Sequence, residues 1–148
     1  MEFKNAIRNN LKDEALENAL GLVDYLTQKG LTPKMEWDSG CRFVKNGKSP
    51  CLVFMIGEDN GWVICDLPVT AEPEWDLLST DLKEFIIANI KICSVHEGNS
   101  CGCGNELGAS KNIFGKVYDN VCTSEIQIVN PNADVLDKFK EIVEWWVN

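Results

Sequence analysis

The chain has 148 residues, 45% hydrophobic and 25% charged, which suits one domain with one packed core. Its 23 acidic against 14 basic residues leave a formal charge of -9, which excludes the basic face that nucleic acid or an anionic membrane requires. Met1-Glu2-Phe3-Lys4-Asn5 lacks the apolar run of a secretory signal, and no stretch is long enough to cross a bilayer, so the expected location is the cytoplasm.

In chain order, the first predicted element is a helix over about Asn10 to Lys29. Leu11, Ala15, Leu16, Ala19, Leu22, Val23 and Leu26 recur at helical spacing and form one apolar stripe. Gly30 is a natural C-terminal stop and Pro33 prevents continuation, while residues 1–9 read as a frayed or extra first turn. Three short strands are expected next. The first covers Met35 to Lys45, the second Pro50 to Gly57 and the third Trp62 to Val69. Asn46-Gly47 is a two-residue hairpin signal, because both turn positions need positive φ. With that turn, Cys41 falls opposite Leu52 and Cys51 opposite Arg42, so the two cysteines face opposite sides of the sheet.

Pro68 to Leu78 reads as a loop, with Glu72, Glu74 and Asp76 as its solvated face. Ser79 or Thr80 then caps a second helix running to Ile90. Between Cys93 and Gly115 no periodicity survives, and five glycines crowd the stretch. A strand over Ser124 to Val129 follows. The last helix is expected to start with Asn130 as cap and Pro131 in its first turn. Val135, Leu136, Phe139, Ile142, Val143 and Trp146 form its buried stripe, which leaves the neighbouring Trp145 open to a partner such as a second copy of the chain.

The expected fold is therefore α+β. A three-stranded antiparallel meander with at least one further strand is packed by about three helices, and an irregular cysteine-bearing loop interrupts it. The expected organisation is a single domain over residues 1–148, with residues 93–122 as a Cys- and Gly-rich loop inside it. The hairpin residues Trp37, Gly40 and Gly47-Lys48-Ser49 give the first half a resemblance to a functionally uncharacterised family of short bacterial α+β proteins. That resemblance implies a fold and no activity.

The chemistry concentrates in the loop. Cys93, Cys101, Cys103 and Cys122 are four of seven cysteines, and His96, the chain's one histidine, lies among them. The stretch has few core-forming side chains, so ordering its glycines needs another source of free energy, and a bound metal supplies one. Zinc takes four tetrahedral Cys or His ligands. Cys101 and Cys103 reach one ion if the chain curls at Gly102, with Cys93 and Cys122 as distant ligands and His96 as the substitute. Such a closed site is structural, because a catalytic zinc keeps a position for water. An iron–sulfur cluster needs the same four sulfurs. Two other readings stand beside metal binding: thiols packed as small hydrophobes, and a dithiol–disulfide couple at Cys101 and Cys103.

Other motifs carry less. Cys41, Cys51 and Cys65 read as small core residues of the meander. Gly47-Lys48-Ser49 imitates the end of a phosphate loop, but position 42 is Arg where that motif needs glycine. No nucleophile elbow or dinucleotide fingerprint is present, which weighs against an enzyme. Trp37, Trp62 and Trp75 are candidates to line an aromatic pocket for a small molecule. The functional expectation is a small binding or interaction module with a zinc staple, its partner a protein or small molecule. A thiol-redox protein and a small-molecule-binding domain are the alternatives.

Overall fold

The amino-terminal apolar residues build two helices rather than one. Phe3 and Ile7 are the buried face of α1 (Glu2–Asn10), where a frayed or extra first turn was expected, and Leu11 follows buried. The helix restarts as α2 (Asp13–Gln28). The break has a cause far away in sequence. The Asn60 side chain accepts the Lys12 N–H at 2.6 Å and donates to the Lys12 carbonyl at 3.0 Å, and Asp13 takes φ 52. The Lys12 N–H is thus taken from the α1 ladder, while its carbonyl also accepts the Leu16 N–H at 3.2 Å as the first bond of α2. The α2 stripe buries Ala19, Leu22, Val23 and Leu26. Gly30 ends it as expected: with φ 86 it lets its own N–H reach the Thr27 carbonyl and the Leu31 N–H reach the Leu26 carbonyl. The computed structural model that shows this describes residues 1–57, 59–93 and 108–148.

The first expected strand is in fact two, β1 (Thr32–Trp37) and β2 (Gly40–Lys45). The chain turns at Asp38-Ser39, and the Trp37 ring lies so close on Gly40 that any Cβ there would collide with it. β3 (Lys48–Ile56) and β4 (Gly61–Cys65) complete the meander. Asn46 and Gly47, at φ 54 and 77, make the expected hairpin turn. The register beyond it differs from expectation. Lys45 opposes Lys48, but Phe43 then pairs with Cys51 and Cys41 with Val53. Ser49 and Pro50 together face Val44, a bulge placed where proline has no N–H to give the ladder. One extra residue moves every later side chain to the other face. Cys41 and Cys51 consequently share a buried face with Phe43 and Val53, and Phe3 packs on Phe43 with ring centroids 6.3 Å apart.

The closing helix, α4 (Ala133–Val147), is capped by Asn132 and not Asn130: Asn132 Oδ1 accepts the Val135 N–H at 2.9 Å. Asn130 has another task. At φ 47 it accepts the Trp62 N–H on its side chain at 2.9 Å and donates its own N–H to the Trp62 carbonyl at 2.8 Å. Leu136, Phe139, Ile142 and Val143 are buried. Trp145 and Trp146 are both half-buried, so the open tryptophan expected at Trp145 is partly covered. Tyr25 joins α2 to α4. Its hydroxyl faces the Lys140 carbonyl at 3.1 Å and Glu144 Oε1 at 2.9 Å, with the Lys29 and Lys140 ammonium groups each 5.4 Å from the ring centre. Burial, then Glu144, pushes the Tyr25 phenol up to about 12. The hydrogen bond from Lys29, then that from Tyr25, holds the Glu144 carboxyl below its ordinary value.

Two compact units divide the chain. The elements above, up to Ile64 and again from Ile128, form one; Cys65–Gln127 forms the other. The second contains a 3₁₀ turn (Pro73–Leu77), α3 (Thr80–Ile87) capped by Ser79 as expected, and three strands: β5 (Ile90–Ile92), β6 (Ala109–Ile113) and most of β7 (Lys116–Val129). The strand expected over Ser124 to Val129 is thus the end of a longer one. Phe114 and Gly115, at φ 53 and 86, form a second two-residue turn that sets Ile113 opposite Lys116. Among the described residues the fold is α+β, with four helices and a seven-stranded antiparallel sheet ordered β1-β2-β3-β4-β7-β5, and β6 pairs with β7. No described helix is long and apolar enough to cross a membrane.

Candidate functional site

β7 carries the chemistry of the Cys65–Gln127 unit. The first feature is the base of the cysteine loop. Of the five residues expected to hold a metal, Cys93 and Cys122 are described; His96, Cys101 and Cys103 lie outside the described residues. Cys93 leaves β5 with its N–H donated to the Asn120 carbonyl at 2.6 Å. Gly108 returns to the same place. A Cβ on Gly108 would stand 2.6 Å from the Asn120 backbone and 2.7 Å from the Cys93 Cβ, so only glycine fits there. The residues that flank 94–107 therefore meet against Asn120, and Cys122 is the second residue beyond it on β7. Both thiols are buried. The Ser124 hydroxyl donates to the Cys122 sulfur at 3.5 Å and accepts from Gln127 Nε2 at 3.0 Å. Among the described residues, no three or more His, Cys, Asp or Glu side chains gather at metal-binding range.

The second feature went unseen in the sequence. Glu125 is 9% exposed, sits at φ 59 inside β7, and uses one oxygen twice. Its Oε1 accepts from the Thr70 hydroxyl and from the Lys111 ammonium, the latter at 2.8 Å. Its Oε2 is buried with no hydrogen-bond partner among the described residues. An unmatched buried acceptor costs roughly 1–3 kcal/mol, and more when charged. Glu125, Thr70 and Asp66 line a cleft of about 180 Å³, with Asp66 also in the left-handed region at φ 57. Thr70 lines a second cleft of about 360 Å³ with Glu72, Asp76, Asn112 and Phe114. Glu74 and Asp76 are exposed, as expected of a solvated loop face, while Glu72 is half-buried and its Oε2 accepts the Trp75 indole N–H at 3.1 Å. The available signal for Glu125 was one acid beside Ile126 in the segment Ser124 to Val129.

The meander cysteines Cys41, Cys51 and Cys65 are buried in their strands, in keeping with small core residues. Burial pushes the Cys41 thiol up to about 11, which keeps it protonated and unreactive at neutral pH. The three tryptophans expected around a pocket have separate surroundings. Trp37 is 46% exposed against Phe54, whereas Trp62 and Trp75 are fully buried. Trp62 lines a cleft of about 300 Å³ whose other walls include Asn18 of α2, Asn60 of the turn before β4 and Asn132 at the start of α4.

No family model, curated protein or solved structure matches the chain.

Proposed function

We propose that the chain is a non-enzymatic binding or interaction domain of the cytoplasm, stapled by a structural zinc ion on Cys93, Cys101, Cys103 and Cys122, with His96 as alternate fourth ligand. The observation that supports this reading is the meeting of Cys93 and Gly108 at Asn120, next but one to Cys122. It puts two buried thiols where the segment with the other three ligand residues departs and returns. Four thiolates close the coordination shell, so the ion contributes folding free energy and holds no water for hydrolysis.

Elemental analysis of protein purified without added metal tests this. The expected result is about one zinc per chain, lost with the Cys101→Ser, Cys103→Ser double variant, and a melting temperature that falls on chelation. Iron with acid-labile sulfide in that stoichiometry replaces zinc by a cluster on the same ligands. Metal-free protein whose thiol count drops by two on mild oxidation overturns the staple in favour of a Cys101–Cys103 redox couple.

A further inference from the structure

We propose that the Cys65–Gln127 unit binds a small aliphatic polyamine across Thr70, a site separate from the zinc ligands. Thr70 lines both clefts, and each cleft has two carboxylates on its wall. Asp66 and Glu125 belong to the smaller, Glu72 and Asp76 to the larger. Charge alone does not make a site, since acidic side chains crowd many surfaces. The second observation is the buried Glu125 carboxylate, whose Oε2 lacks a donor among the described residues while Oε1 already takes two. Its capacity to accept is half used, and an ammonium offers three donors together with the opposite charge.

The unit's own lysines show which chemistry these walls accept. The Lys111 ammonium sits on Glu125 at 2.8 Å, and the Lys83 ammonium stands 5.4 Å from the centre of the Phe114 ring that borders the larger cleft. Both are primary ammonium groups on flexible alkyl stems. A linear polyamine repeats that unit, with one ammonium for each cleft and a methylene run passing Thr70. The small volumes, about 180 and 360 Å³, suit such a chain better than a nucleotide or a bulky aromatic. An anionic ligand would meet four carboxylates.

Titration calorimetry with spermidine at physiological ionic strength tests the proposal on the full chain as purified. The wild type is expected to bind one spermidine. Glu125→Gln is expected to weaken binding about 10-fold or more and Asp76→Asn about 3-fold, from the loss of charge-assisted hydrogen bonds. Glu14→Gln, in the other unit, is expected to leave it unchanged. If Glu125→Gln does not fold by circular dichroism, amide shifts on wild-type protein carry the test: spermidine must move Thr70, Asn112 and Phe114. Equal affinity in all four proteins, displacement by equimolar magnesium, or shifts confined to other residues overturns the proposal. Zinc content is measured on each variant and is expected to stay constant, so failure here is distinct from failure of the metal reading.

Discussion

The unit formed by residues 1–64 and 128–148 and the unit formed by Cys65–Gln127 hold their shape by different means. In the first, aliphatic and aromatic side chains at regular spacing are buried along α1, α2, α4 and the meander, with polar clasps at Lys12 and Asn130 beside the element ends. The second also buries Trp75, Ile86, Ile113 and Ile126, and adds close backbone contacts and a buried charge to that core. Glycine stands where a side chain cannot, and a buried carboxylate ties Thr70 to Lys111. Hydrocarbon burial is diffuse and tolerates change in many places. Backbone contact and a matched charge each depend on one residue.

The largest effect should come from the first kind of stabilisation. Phe43→Ala removes a fully buried ring from the sheet face beneath Phe3 and should cost about 3–5 kcal/mol, read by urea unfolding with and without chelator. An equal loss under both conditions keeps the two means separate; a loss only in the chelated protein merges them. Gly108→Ala should cost about 1–3 kcal/mol, because the new methyl meets the Asn120 backbone at 2.6 Å. Unlike Phe43→Ala, it should also lower zinc retention, and normal metal content in this variant would break the comparison.

Tyr25→Phe should do least, about 0.5–1.5 kcal/mol for one hydrogen bond. It also carries a pH signature. The folded phenol titrates near 12 against 10.0 when unfolded, so its contribution is complete below pH 10 and is lost as pH climbs from there toward 12. Glu144 has the opposite sign. Its folded carboxyl lies below the ordinary 4.5, so its contribution is present above that value and drains away on further acidification. Melting temperatures of wild type and Tyr25→Phe across both ranges check this; parallel curves at alkaline pH would sink it.

The same contrast explains what the sequence disclosed. Periodicity marked α2, α4 and the β2–β3 hairpin because burial there repeats with the backbone period. It missed the break before Asp13, where the Lys12 N–H goes to Asn60, 48 residues away. It also missed β5 and β6. Ile90–Ile92 is too short to show a period, and Ala109–Ile113 is too polar; both exist by pairing with β7. The Phe114-Gly115 turn is weakly marked, because only its glycine resembles the usual turn pair. At the candidate site, Cys93 and Cys122 stood out as thiols in a loop. Thr70, Lys111 and Glu125 did not, because 55 residues separate Thr70 from its carboxylate partner. Cys41 and Cys51 came out on one face where alternation predicted two, and the Ser49-Pro50 bulge is the local cause.

Trp62 and Trp75, one fully buried in each unit, give the protein built-in optical reporters. With the remaining indoles replaced by phenylalanine, a chain keeping only Trp62 would report by its emission when the meander side opens to solvent. One keeping only Trp75 would report the same for the Cys65–Gln127 unit. Two fluorescence curves from one scaffold would then reveal whether the halves melt together or in sequence, and which of them a chelator reaches first.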